Sequence, residues 1–308
     1  MFIWVRILYA VLALIPLSLI DTIALAADHS RELTHLFDIS KVGSVKLVLP
    51  TDVEADQSRI YIMDSGNNRV VVLDKGGKHL FSFGREGHAN GEFKDPVGLG
   101  VGNDWRIYIA DTGNHRIQVF NAQGQFEAVF NVGSDKVPVR PIDVATNPKS
   151  GDIYISGNNN HKLMVYNKGG RKIREWGGNG AGPGKFRYPA TVAVTKDSRI
   201  AVVDVLNTRA QLFQSDGRFL VNIGSWGVLP GQFFRPKGIA IDDRGRIYIS
   251  DSYMNLVQVF NDSGEFLHVL KIRGRRSDMM TPTGIAVSSN RLYVAEMLRH
   301  RVSVFQLE

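Results

Sequence analysis

The 308-residue chain contains no cysteine, and that absence removes several kinds of chemistry at once. Disulfide staples, thiolate catalysis, iron–sulfur ligation and covalent haem attachment all need the thiol. A lipoprotein signal needs it too, so an apolar leader here is not one. No G-x-S-x-G elbow occurs, and no Ser, His and acidic residue share a nucleophile context. The glycine-rich stretches run between strand patterns, without the following helix whose N-terminus would hold a phosphate. Long apolar runs are equally scarce. The single run at residues 7–20 is short for a membrane span. It follows Arg6 and precedes the small-x-small site Ala24-Leu25-Ala26. Residues 1–26 therefore read as a signal peptide cleaved after Ala26, with an uncleaved anchor as the alternative. The expected location is periplasmic or secreted.

What the chain has in abundance is repetition. Pro50, Pro96, Pro141, Pro189, Pro236 and Pro282 stand 46, 45, 48, 47 and 46 residues apart. Each proline precedes a short apolar strand pattern. A turn leads to a second strand, at 59–63, 106–110, 152–156, 199–203, 246–250 and 291–295. A polar loop leads to a third, and a Gly-containing turn such as 122–124 to a fourth. Four short strands per period predict an all-β fold, a six-bladed β-propeller of four-stranded blades, because one small sheet cannot bury both faces alone. The sixth unit ends at Glu308, after its third strand. Residues 33–37, Leu-Thr-His-Leu-Phe, match the outer-strand pattern of residues 126–130 and 266–270. They are expected to supply the missing outer strand and close the ring, removing an exposed edge. Residues 27–308 then form one domain.

The loops carry a resemblance. Asp111-Thr112-Gly113-Asn114-His115-Arg116 lies between two strands, Asp64-Ser65-Gly66-Asn67-Asn68-Arg69 repeats it, and Asp204, Asn207 and Arg209 keep its frame. Between blades run Gly91-Glu92-Phe93, Gly182-Pro183-Gly184-Lys185-Phe186 and Gly231-Gln232-Phe233. Over residues 31–308 this pattern resembles the NHL-repeat family of β-propellers. The resemblance implies the fold and leaves the function open, because one fold hosts many activities. The recurring Asp and Arg pairs read as exposed stitches between loops, each contributing about 0.2–1 kcal/mol. Phe93, Phe186 and Phe233 read as packing between blades. Trp105 lies in a turn, Trp176 ends an outer strand, and Trp226 lies in an inter-blade loop, where it is the aromatic candidate for ligand contact.

Two functional classes follow. Propellers similar to this one include lyases and lactonases that hold a metal in the central channel. Two residues after each proline stand Asp52, Gly98, Asp143, Thr191, Gly238 and Gly284. Asp52 and Asp143, at one ring position, are the candidate ligands for a hard cation such as Ca²⁺; structural capping is the competing reading. His115, His161 and His300 share a loop position on three different blades. The second class is binding. The net charge is +7, and the inter-blade segments carry twelve basic residues against five acids. The candidate patch is Arg273, Arg275, Arg276, Arg299 and Arg301, with Arg187, Arg235, Lys237 and Trp226 on the same face. Such a face attracts anions. In some cytoplasmic relatives it binds single-stranded RNA, but export argues against nucleic acid here. The expected function is a non-enzymatic, monomeric protein-binding or scaffolding module without a cofactor, facing an envelope protein or polyanion. The alternative is a metal-dependent lyase or hydrolase.

Overall fold

A computed structural model describes residues 29–134, 137–273 and 279–308. Residues 1–26, expected as a signal peptide, and the candidate cations Arg275 and Arg276 lie outside the described residues. The inner strands of the six blades are Pro50–Ala55, Leu99–Val101, Pro141–Thr146, Pro189–Val194, Pro236–Ile241 and Pro282–Ser288. Each of the first five blades continues through three antiparallel strands, as in Arg59–Asp64, Arg69–Asp74 and His79–Phe83 of blade 1. Second and third strands are buried on both faces, because each blade is stacked between two others. Ile107–Asp111 and Arg116–Phe120 have no exposed position, which explains their near-continuous apolar sequence. Outer strands such as Phe126–Asn131 are largely exposed.

The core is distributed. Six apolar clusters lie among the described residues, one at each junction between neighbouring blades. Phe93, Phe186 and Phe233 are fully buried in three of them. Gly84 shows why the inter-blade loops need glycine: its φ is +92°, and a Cβ there would sit 2.2 Å from the Phe93 ring. In five blades the inner strand begins at the proline itself, and pairing with the second strand slips just beyond it, as between Pro50 and Asp52. Proline has no amide to donate to a ladder, so irregular pairing at this position costs little.

The N-terminal strand Ser30–Ile39 pairs antiparallel with Arg301–Leu307, Leu33 opposite Leu307 and Ile39 opposite Val302. It thus forms the fourth strand of blade 6. Its first residues also pair in parallel with Val269–Ile272 of blade 5, so blades 5 and 6 share one eight-stranded sheet. A bulge leaves Leu36 unpaired between His35 and Phe37. Leu33 is fully buried, but the bulge breaks the alternation and leaves Leu36 exposed. Ile39 takes the second buried place.

Candidate functional site

Two faces flank the ring. One carries the inter-blade loops and the turns between second and third strands. The other carries the turns between inner and second strands. On the loop face, the turn after the second strand is organised by a carboxylate in every blade but the third, where Gly157 stands instead. Asp111 accepts bonds from Arg116 Nε at 2.7 Å, Gln118 Nε2 at 2.9 Å, Asn114 Nδ2 at 2.9 Å and the Lys94 amide at 2.8 Å. Asp204 repeats this with Arg209, Gln211, Asn207 and the Arg187 amide. Asp64 takes Arg69, Asn67 and the Val48 amide. All three aspartates are fully buried, which corrects the expectation of exposed pairs. Deleting one partner of such a buried network costs about 3–5 kcal/mol, well above the value of a surface pair.

The three loop histidines are occupied separately. His300 Nδ1 accepts the Leu49 amide at 2.9 Å and His161 Nδ1 the Tyr188 amide at 3.2 Å, while His115 Nδ1 lies 3.3 Å from the Val139 carbonyl. Each steadies the inter-blade loop beside it. Among the described residues, no group of three His, Cys, Asp or Glu side chains gathers as a metal shell would require.

Asp52 and Asp143 do share the ring position assigned from the sequence, and both are buried. Asp52 accepts the Leu99 amide of blade 2 through Oδ2 and the Val53 amide through Oδ1, each at 2.9 Å. Asp143 Oδ2 accepts the Val192 amide of blade 4 at 2.8 Å. Each carboxylate therefore ties its own inner strand to the next blade. The neighbouring inner strands make room: a Cβ on Gly284 would lie 2.0 Å from Asp52 Oδ1, and one on Gly98 would lie 2.5 Å from Asp143 Oδ1. Burial pushes the Asp143 carboxyl up to about 7. Burial, then the charges of Asp143 and Glu54, holds Asp52 well above the usual carboxylate range. A Ca²⁺ shell takes about 6–8 oxygens, and among the described residues no group of three His, Cys, Asp or Glu side chains forms around these two carboxyls.

The candidate cations divide. Arg273 bonds Glu32 at 2.8 Å and Glu308 at 2.6 Å, holding the closing strand and the C-terminus together. Arg301 reaches Asp38 at 2.7 Å and the buried Glu296 at 2.8 Å, and Arg299 lies 3.4 Å from Glu296. Their charge is thus answered within the seam of the ring. Arg187 and Arg235 stand exposed elsewhere on the loop face, and Lys237 is half-buried. Burial, then Arg235, lowers the Lys237 ammonium from its ordinary value.

Around these cations lies a feature that sequence reasoning missed. The second residue after each loop carboxylate position is Gly66, Gly113, Asn159, Leu206, Tyr253 and Leu298 in blades 1 to 6. The last three are 59%, 58% and 55% exposed. Tyr188, Phe234 and Met280, beside the inner-strand prolines, are exposed as well, and Phe234 stacks on Tyr253 at 4.1 Å. Trp226, 71% exposed, with Val228 and Leu229, adds exposed apolar surface on the loop between blades 4 and 5. Aligning the repeats position by position was the signal that could have found it.

Comparison with known proteins agrees with this architecture. Residues 93–120 match the NHL repeat and residues 186–281 a 6-bladed beta-propeller family. Among solved structures, virginiamycin B lyase from Staphylococcus aureus is 14% identical over 88% of this chain and 99% of its own, with a TM-score of 0.63. A gluconolactonase from Xanthomonas campestris is 14% identical over 88% of both chains, at 0.65. A protein of unknown function from Bacteroides thetaiotaomicron is 15% identical over 92% of this chain and 74% of its own, at 0.69. At such identities the likeness is one of fold. The chain is a six-bladed β-propeller that carries the NHL repeat.

Proposed function

We propose that the protein is a non-enzymatic binding module that docks a protein partner on the loop face of blades 4 to 6. The observation that carries this is the repeat-register change from Gly66, Gly113 and Asn159 to exposed Leu206, Tyr253 and Leu298. Folding gains nothing from a large apolar side chain held in water, and contiguous patches of that kind mark interaction sites. Aromatic and aliphatic anchors framed by arginine are the composition of an interface centre. The exposed Arg187 and Arg235 favour a partner segment that carries carboxylates beside its own apolar anchors. In an exported chain that partner is an envelope protein.

The test is a pull-down from envelope extracts with the triple variant Leu206→Ser, Tyr253→Ser and Leu298→Ser. It should melt as the parent does yet lose at least about tenfold in capture, a loss of roughly 1.4 kcal/mol. Capture that is unchanged would place docking elsewhere. Turnover of a lactone or cyclic peptide that stops on chelation would replace this reading with that of a metal-dependent hydrolase or lyase.

A further inference from the structure

On the face opposite the loops, the channel widens into a cavity of about 930 Å³ formed by the inner turns of blades 1, 2, 5 and 6. One residue in its wall has no explanation in the fold. Trp105 precedes a second strand, where the other blades carry Ser58, Gly151, Ser198, Gly245 and Asn290. Gly151, Ser198, Gly245 and Asn290 all have positive φ there, as small or polar residues tolerate. Trp105 adopts the same left-handed backbone, at φ +64°, and its indole is 52% exposed. A bulky residue in that conformation is unfavourable, and packing does not repay it. Strain of this kind collects at ligand-binding positions.

The indole is one wall of the cavity; Glu54, Gln57, Asn103, Arg244 and Ser289 supply others. Carboxyl, amide, guanidinium and hydroxyl groups together present both donors and acceptors. The charge balance narrows the ligand. Asp56, Asp242 and Asp243 also face the cavity and oppose an anion, while Arg244 and Arg246 oppose a cation. A neutral ligand dense in hydroxyls meets neither objection, and the C–H face of a sugar ring suits a single exposed indole. We infer that this cavity binds a neutral oligosaccharide, one ring stacked on Trp105 and its hydroxyls held by Glu54, Gln57 and Arg244.

Two further observations agree. The volume is at the upper end of small-molecule sites, about 300–1,000 Å³, which suits several rings rather than one. Burial, then Asp143, pushes the Glu54 carboxyl up to about 8, so at neutral pH it is largely protonated and both donates and accepts, as a hydroxyl partner should. This site lies on the other face from the proposed protein-docking arc and does not depend on it.

The experiment is calorimetric titration of the full exported chain with cellotetraose, maltotetraose and the tetramer of N-acetylglucosamine, with tryptophan fluorescence followed in parallel. At least one sugar should bind saturably and perturb the emission. Trp105→Ser installs the residue that blades 1 and 4 carry, so it should melt at or above the parent temperature while losing at least tenfold in affinity. Trp105→Phe should retain most of the binding, and Arg244→Ala should weaken it severalfold. No heat from any of the three sugars at millimolar concentration would overturn the inference, as would an affinity that Trp105→Ser leaves unchanged.

Discussion

Asp143 shows how much one buried carboxyl can make stability depend on pH. An unfolded aspartate titrates near about 3.9, whereas burial holds Asp143 at about 7 in the folded chain. The folded state therefore keeps a proton that the unfolded state has lost. Stability from this group is complete below about pH 4 and declines as pH rises toward 7, since protons bound by the native state favour it only where they are retained. Asp143→Asn can still accept the Val192 amide but cannot titrate. Between pH 5 and 8 the melting temperature of the parent should fall relative to the variant, and parallel curves would contradict the assignment. Taking the difference matters because His268, lowered to about 4 mainly by burial, contributes the opposite slope. The position of Asp143 was legible from the proline register, but its amide partner was not. Val192 lies on the next blade, and the slip after the proline that aims the carboxylate there is a property of the backbone.

The closing strand is the element on which the ring most depends. Leu33 and Ile39 enter two different clusters, those joining blades 5 and 6 and blades 6 and 1. Burying each contributes about 1.5–3 kcal/mol, against a total of about 5–15 kcal/mol for a domain. Deleting residues 30–39 should strip blade 6 of its outer strand, release Arg273 and Arg301 from Glu32 and Asp38, and leave a chain that aggregates or melts far lower. A monomeric truncation with an unchanged melt would mean that three strands suffice. The strand was readable because residues 33–37 share the outer-strand pattern of other blades. Its bulge and its parallel pairing with Val269–Ile272 were not readable, because both arise from how the strand crosses the seam. The partners of two loop arginines were hidden for a related reason: charge counts cannot reveal that Glu296 is buried beneath Arg299 and Arg301.

At the scale of the whole molecule, six prolines at nearly equal spacing specify the ring, and the structure makes the place where the chain begins a matter of convenience. Leu33 lies opposite Leu307 in the ladder, so a short flexible linker can join Glu308 to Ser30. A circular permutant opened in the exposed turn after Asn121 moves the seam from blade 6 to blade 2. It should melt within a few degrees of the parent; failure to fold would show that the outer strand of blade 2 cannot close the ring from a chain end. The difference between the blades was harder to read than their number, because it resides in single positions of an otherwise regular unit. Its consequence concerns symmetry and stoichiometry. A ring of six similar blades offers six equivalent azimuths, and a partner reading only the common features would slide among them or bind several times over. With Leu206, Tyr253 and Leu298 on consecutive blades and glycine or asparagine on the other three, rotation by one blade destroys the match. On the proposed reading, a partner that docks on these three blades has one preferred bearing, and the propeller takes one at a time.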